Sequence, residues 1–489
     1  MKAFVLIGGL ILFLISSFQL IESKDKAVLC YFSSWATYRR GKGKFDIENI
    51  DPSMCTHVAY GFAGIDENTY KIKVLDPYND LTENWGKGGY KRFTDMKKKN
   101  SNLITLLSVG GWNEGANKYS KMAALKIRRT TFIQSAITLL KKYGFDGLDF
   151  DWEYPGGRLG SQGSPEDKVN YVKLIKELRT ALDKAGGLKL TAAVSAGKNT
   201  IDKGYDVQAM GMYMDYINVM TYDYHGWWGG HHFTGHNSPL YALPEEQDPS
   251  HPAHNLNANF SMNYYAMKGA PKDKLLMGMG AYGRGFILND ARKNGFYARA
   301  MNGIEGGPYT DSVGFWGFNE YCEKMKSSKS QWTLVRSPYA VAPYSYNGNK
   351  WFGFDDKESI RVKSQYILDQ GFGGGFSWSI DTDDFLGLCG QGNFPLVSTM
   401  KEVLMGYNGQ LMSSSTQKPT LTTTKPLLES SDQCLGIGLI PYSKDCTKYI
   451  HCIPNNENGY TEVVMDCPPG LYFNFENLNC DWPSNVSCP

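Results

Sequence analysis

The sequence predicts an α/β fold: a (β/α)8 barrel of the TIM type over residues 24–408, with a small disulfide-rich β-type domain behind it. Three observations carry this. Eight short β-rich runs alternate with helical patterns. They spread over ~380 residues, within the range of ~250 to above 400 that such barrels occupy when they carry insertions. Six of the ten cysteines lie at or beyond Cys434, apart from the long patterned region. A doubly wound open sheet is the competing topology, because periodicity alone cannot close a barrel.

In chain order the strand-like runs are "AVLCYF" (27–32), "THVAYGFA" (56–63), "LITLLSV" (103–109) and "GLDFDW" (147–152). They continue with "LTAAVSA" (190–196), "YINVMTYD" (216–223), "LLMGMGAY" (275–282) and "GGFSWSI" (374–380). Between several of them lie amphipathic helices. "YVKLIKELRTALDKAG" (171–186) has i, i+3, i+4 apolar spacing and a glycine stop. The long interval before the eighth strand, about 286–355, has strand-like runs of its own and predicts a small inserted α+β lobe.

The flanks fix the compartment. Lys2 precedes an apolar run from Ala3 to Leu14, and small polar residues lead to a cut after Ser23. Residues 1–23 therefore read as a secretory signal peptide, with an uncleaved membrane anchor as the alternative. A secreted chain with an even number of cysteines is expected to be disulfide-bonded. Residues 409–433 are rich in Ser, Thr and Pro and read as an extended linker. Sequons at Asn259 and Asn485 are candidate N-glycan sites. The net charge of +2, from 51 basic and 49 acidic residues, argues against nucleic acid or anionic lipid as a partner. No cofactor or metal is expected.

The fourth strand raises the chemical question. "FDGLDFDWEYP" interleaves Asp149, Asp151 and Glu153 with Leu148, Phe150 and Trp152. Side chains two apart on a strand share a face, so the three acids form a row, ~7 Å from one to the next. In a (β/α)8 barrel an inward row near a strand's C-terminal end lies where such barrels hold their chemistry. Several carboxylates in a poorly solvated interior cannot all stay charged cheaply, so at least one pKa should rise. A carboxylic acid protonated near neutral pH is what a glycosidase needs to protonate a leaving oxygen. Glu153, outermost and longest, is the natural donor, with Asp151 behind it and Asp149 balancing Asp151. A calcium loop would need glycine at its sixth position and glutamate at its twelfth. Here Gly147 precedes the aspartates and bulky Phe150 and Trp152 interrupt them. A solvated edge strand would not carry Leu, Phe and Trp on its other face.

These residues bring a resemblance. "DGLDFDWE" resembles the DGxDxDWE signature of glycoside hydrolase family 18, the chitinases. "SVGGW" (108–112), with Gly110 and Gly111, resembles the family's SxGG element, and "MTYDYHG" (220–226) its MxYD element. "TGHNSPLY" (234–241), "YGRGF" (282–286) and "GGFSWSIDTDDF" (374–385) follow in the family's order. The resemblance covers about 27–408 and implies hydrolysis with retention, the substrate's own N-acetyl group acting as nucleophile. It gives Glu153 the role of acid, Asp151 the acetamide N–H, Tyr222 the acetamide oxygen and Asp223 the sugar at the cleavage subsite. It further implies Trp378 as the floor of that subsite, Trp112 and Trp228 on the leaving-group side, and Trp35 on the other. Tyr31, Phe62, Met220, Tyr282 and Arg284, with Gly110 and Gly111, match pocket positions. Pyranose faces stack on indole rings, which gives the tryptophans their physical purpose. The barrel bridges implied are Cys30–Cys55 and Cys322–Cys389.

The tail has the spacing C-x11-C-x5-C-x14-C-x12-C-x7-C. So short a segment cannot bury enough core alone and depends on its bridges. Zinc is the rival reading, but the tail lacks tight C-x2-C pairs. "CTKYIHC" and "CPPGLYFNFENLNCDWPSNVSC" resemble the peritrophin-A type (family 14) chitin-binding module. That resemblance implies the pairs Cys434–Cys452, Cys446–Cys488 and Cys467–Cys480. Tyr472 and Trp482 are candidates for sugar stacking, while Tyr449 and Phe473 serve equally well as core. The chain as a whole is expected to be a secreted, monomeric, endo-acting chitinase anchored to chitin. Its alternatives are a chitinase-like lectin that binds without cleaving, and a hydrolase of another N-acetylglucosamine-containing chain.

Overall fold

The computed structural model describes residues 26–228, 232–326 and 332–406. In the C-terminal segment it describes 434, 438–442, 444–454, 460–467, 472–474, 479–481, 483 and 486. The expected signal peptide and linker, and the expectations for Trp482, Asn485 and Cys488, lie outside the described residues.

Eight parallel strands close on themselves. They are β1 (Ala27–Ser33), β2 (His57–Ile65), β3 (Ile104–Gly110), β4 (Gly147–Asp151), β5 (Lys189–Ser195), β6 (Tyr216–Met220), β7 (Leu275–Gly280) and β8 (Gly374–Trp378). Each pairs with its sequence neighbour. β1 pairs with both β2 (Leu29↔His57) and β8 (Ala27↔Gly374), which excludes the open sheet. Every residue of β1 is buried, the mark of a strand packed on both faces. Pattern explains the covering helices as well. Asp167–Lys184 buries Tyr171, Leu174, Ile175, Leu178 and Leu182, one stripe at helical spacing. It begins a turn before the residues predicted to form it. Lys126–Tyr143 stops at Gly144, whose φ of +77° suits the left-handed cap, and the Gly144 N–H donates to Leu140 O.

The inserted lobe lies between β7 and β8 and starts earlier than the sequence suggested. β7 ends at Gly280, and Tyr282–Leu288 is the first strand of a separate antiparallel sheet. The chain does not continue the barrel because Tyr282–Arg284 pairs with Phe315–Gly317 and Arg284–Ile287 pairs with Lys350–Gly353. Tyr282 and Arg284 therefore belong to the lobe and reach the site from its edge. The lobe's last strand ends at Gly353.

The disulfides Cys30–Cys55, Cys322–Cys389 and Cys434–Cys452 form as expected. Cys446 and Cys467 are also disulfide-bonded. In the tail, Lys448–Pro454 pairs with Tyr460–Asp466, and Tyr449 stacks on buried Phe473 at 4.7 Å. Among the described residues of the tail, Ile450, Cys452 and Cys467 are buried with Phe473. Tyr472 is partly buried. Among the described residues no helix is long and apolar enough to cross a membrane.

Candidate active site

β4 divides as its alternation predicts. On its outer face Phe150 meets Tyr119 and Phe132 at 5.8 Å each, and Trp152 meets Tyr171 at 5.9 Å. The acids point to the barrel axis. Asp149 is fully buried and its carboxylate accepts four hydrogen bonds. Tyr31 Oη (2.9 Å) and Ser108 Oγ (2.7 Å) donate to Oδ2. Thr191 Oγ1 (2.6 Å) and Asn218 Nδ2 (3.2 Å) donate to Oδ1. The donors come from β1, β3, β5 and β6. Burial pushes the Asp149 pKa up, and these four bonds oppose the rise.

Asp151 is treated differently. Its Oδ1 is buried without a hydrogen-bond partner. Burial, then Glu153, then Asp149 drive its pKa well above the usual carboxylate range. Glu153, just past the strand end, is also buried, and its pKa is raised to about 7. Desolvation is the main cause and Asp223 adds to it, while Tyr154 and Arg158 pull the other way. Adjacent carboxyls that cannot both ionise are the arrangement that holds a proton for donation near neutral pH.

Gly110 and Gly111 make this approach of β3 to β4 possible. Gly110 has φ +130°, and a Cβ there would lie 1.8 Å from Asp151 O. Gly111 has φ +89°, donates its N–H to Asp151 O at 2.9 Å, and has room only for hydrogen against the Phe62 ring. Both glycines are buried at this junction.

From β6, Met220, Tyr222 and Asp223 face the acids. Met220 is partly buried within the inner cluster. Tyr222 is buried edge-on to Tyr282 (5.9 Å) and Phe376 (6.0 Å). Asp223 has φ +57°, donates its N–H to Asn237 Oδ1 (3.0 Å) and accepts from Arg284 Nε (2.7 Å). The Arg284 guanidinium lies 4.9 Å from the Trp228 ring centroid, and Tyr282 stacks on Phe315 at 4.6 Å. On the opposite wall Trp378 and Phe62 stack at 5.7 Å, and Phe62 and Trp35 at 6.0 Å. Tyr31 meets Trp378 edge-on at 5.6 Å. Trp112 is 57% exposed and carries Arg158 on its ring.

Sequence reasoning missed Ser108, Thr191 and Asn218. Each was detectable as a polar residue at an inward position of an otherwise apolar strand. Asn237 and Arg158 gave no such signal, because loop contacts have no period. Asn259 Oδ1 accepts from Tyr366 Oη at 2.9 Å, so this sequon asparagine packs against the barrel helices.

Comparison with known proteins gives the same picture. The profile described as "Glycosyl hydrolases family 18" matches residues 27–383, and "Chitin binding Peritrophin-A domain" matches 434–488. An endochitinase of Manduca sexta is 33% identical, with 96% of each chain aligned. A probable chitinase 10 of Drosophila melanogaster is 37% identical over 95% of this chain, which spans only 21% of that protein's length. The Group IV chitinase of Ostrinia furnacalis superposes with a TM-score of 0.74 at 42% identity, covering 78% of this chain and all of that one. Human YKL-39, described as a pseudo-chitinase with retained chitooligosaccharide binding, superposes at 0.70 with 35% identity, covering 78% of this chain and 99% of its own. A closed barrel with this acid row, matched to the family over its length, settles the assignment. The chain belongs to glycosyl hydrolases family 18, is a glycoside hydrolase of the chitinase type, and carries a peritrophin-A chitin-binding domain behind its barrel.

Proposed function

We propose that the protein is a secreted chitinase that cuts β-1,4-linked N-acetylglucosamine polymers within the chain and retains the anomeric configuration. The observation that carries this is the pairing of Glu153, its pKa raised to about 7, with Asp151, whose Oδ1 lacks a partner. Glu153 protonates the glycosidic oxygen as the acetamide carbonyl oxygen attacks the anomeric carbon and the C–O bond to the leaving sugar breaks. The product is an oxazolinium ion, the substrate-assisted route open to this family. Asp151 accepts the acetamide N–H, which supplies the partner its Oδ1 lacks, and Asp149 stays behind it as a fixed charge. Tyr222 Oη donates to the acetamide oxygen, and Asp223 holds the sugar, oriented by Arg284. Glu153, now ionised, takes a proton from water as that water opens the ring. Trp378, with Phe62 and Trp35, provides apolar faces for successive pyranoses, with Trp112 and Trp228 beyond the cleaved bond. All these groups belong to one chain, Arg284 coming from the lobe and the rest from the barrel, so a monomer suffices. The tail holds the enzyme at high local concentration on insoluble polymer, and the first 23 residues direct secretion.

The test compares wild type with Glu153→Gln on N-acetylglucosamine hexamer, following product anomers by NMR. Release of β-anomeric dimer and trimer by wild type, with an inert variant that still binds, supports the reading. Wild type that binds the hexamer and releases nothing would make the protein a lectin.

A further inference from the structure

The loop after β4 carries a contact that the catalytic scheme leaves unused. Gly157–Arg158 pairs with Ser161–Gln162 in a short hairpin. Its ends are tied down. Asp167 Oδ2 accepts from the N–H groups of Gly156 and Ser164, both at 2.9 Å. Ser161 Oγ accepts from the Ala116 N–H at 2.6 Å, joining the hairpin to the segment that follows Trp112. Arg158 then reaches across. Its Cζ lies 3.3 Å from the centroid of the Trp112 ring. Its Nη2 donates to Trp112 O at 2.6 Å, Nε to Glu153 O at 3.2 Å and Nη1 to Leu159 O at 3.3 Å. One guanidinium thus joins the backbone of the acid to the backbone and ring of the exposed tryptophan.

We infer that Arg158 is a positioning residue: it locks Trp112 in register with Glu153, leaving one indole face for the sugar on the leaving-group side. A tryptophan more than half exposed has rotamer freedom to lose on binding, and a stacked guanidinium removes that loss beforehand. Lysine cannot substitute, because it lacks the plane to stack and the fork to reach two carbonyls. The inference rests on the cleft being a chito-oligosaccharide site. It has a second, separable consequence, because the same cation faces Glu153. The other groups facing Glu153 are Asp151 and Tyr154 beside it, Tyr222 and Asp223 from the end of β6, and Tyr205 from beyond β5. Arg158 is the cation among those that act on the carboxyl, and it favours the ionised form.

The experiment uses full-length protein and N-acetylglucosamine hexamer. Arg158→Ala should raise KM about tenfold with kcat changed less than twofold, and should move the alkaline limb of the kcat profile to higher pH. Arg158→Lys should return the limb and leave KM raised, a split that general loosening of the loop would not produce. In a Trp112→Ala background Arg158→Ala should add less than twofold to KM, because the effect passes through that ring. Trp112→Ala removes a largely exposed side chain, so the cycle survives if one loop variant folds poorly; Arg158→Gln then replaces it. Equal KM for wild type and Arg158→Ala, or additive effects in the Trp112→Ala background, would overturn the inference. Repeating the comparison as hexamer Kd in Glu153→Gln keeps it testable if wild type proves unable to cleave.

Discussion

Tyr31 and Asp149, 118 positions apart in the chain, meet at the barrel axis, where the phenol donates to the carboxylate across 2.9 Å. Burial and the neighbouring Asp149 and Asp151 hold the Tyr31 hydroxyl well above its ordinary pKa, so it remains a donor throughout the working range.

Asp149→Asn should destabilise the barrel, because an amide nitrogen would then face donors on a fully buried group. The expected cost is about 3 kcal/mol, against about 1–2 kcal/mol for Tyr31→Phe, which removes one donor. Thermal unfolding reads both. Equal melting temperatures for wild type and Asp149→Asn would show that the charge is not what those donors serve.

The pH dependence follows from Glu153. Its folded pKa, about 7, lies above the unfolded value of 4.5, so the acid form needed for donation dominates below 7. Turnover should fall as pH rises through that value. The same shift acts on stability with a definite sign. A carboxyl whose pKa is raised by folding favours the folded state below the unfolded pKa, and this contribution is lost as pH climbs to the folded one. Glu153→Gln removes the cost of ionising a buried carboxyl, so it should match wild type at pH 4 and exceed it at pH 8 by up to ~3 kcal/mol. Denaturant titrations at the two pH values measure this; a variant weaker than wild type at pH 8 would refute it.

Lys363 and Asp355 form a fully buried pair, with Nζ 2.7 Å from each carboxylate oxygen. The ammonium also holds Ser238 O (2.5 Å) and Oγ (3.0 Å), and Ser238 Oγ in turn donates to Thr221 O, next to Tyr222. Lys363→Met should cost about 3–5 kcal/mol by leaving Asp355 buried and unpaired. The double change Lys363→Met, Asp355→Leu should recover much of that, which chemical denaturation can show.

Deleting residues 434–489 should leave hexamer turnover within twofold of the full chain and lower retention on crystalline chitin about 100-fold, the gain tethering commonly confers. Pelleting with chitin beads measures retention. Undiminished retention would place all chitin affinity in the barrel.

What sequence could show was whatever repeats along the chain. The alternation in "GLDFDWE" separated Asp149 and Asp151 from Phe150 and Trp152, and the structure keeps that division. Closure was not legible, because nothing in "AVLCYF" says that it pairs with residues 374–377 as well as 57–61. The boundary at Tyr282 was misplaced for a similar reason: "LLMGMGAY" reads as one strand through Tyr282, and only pairing with Phe315–Gly317 shows where the barrel stops. The Arg158 contact depends on a hairpin tip meeting another loop, which no spacing rule encodes.

The seam between β1 and β8 also bears on how the protein is made. Ser33 and Ser379, bonded through their hydroxyls across that seam, are 346 positions apart. At ~5–20 residues per second a ribosome needs roughly 20–70 s to bridge such a gap, and until then β1 has an apolar edge with no partner. Cys30 on β1 and Cys55 just before β2 are joined, with a separation of only 25. That crosslink can form while the eighth strand is still unwritten, and it fastens β1 to β2 during the interval when strangers could pair with it. Its greatest value therefore comes before a finished barrel exists to stabilise.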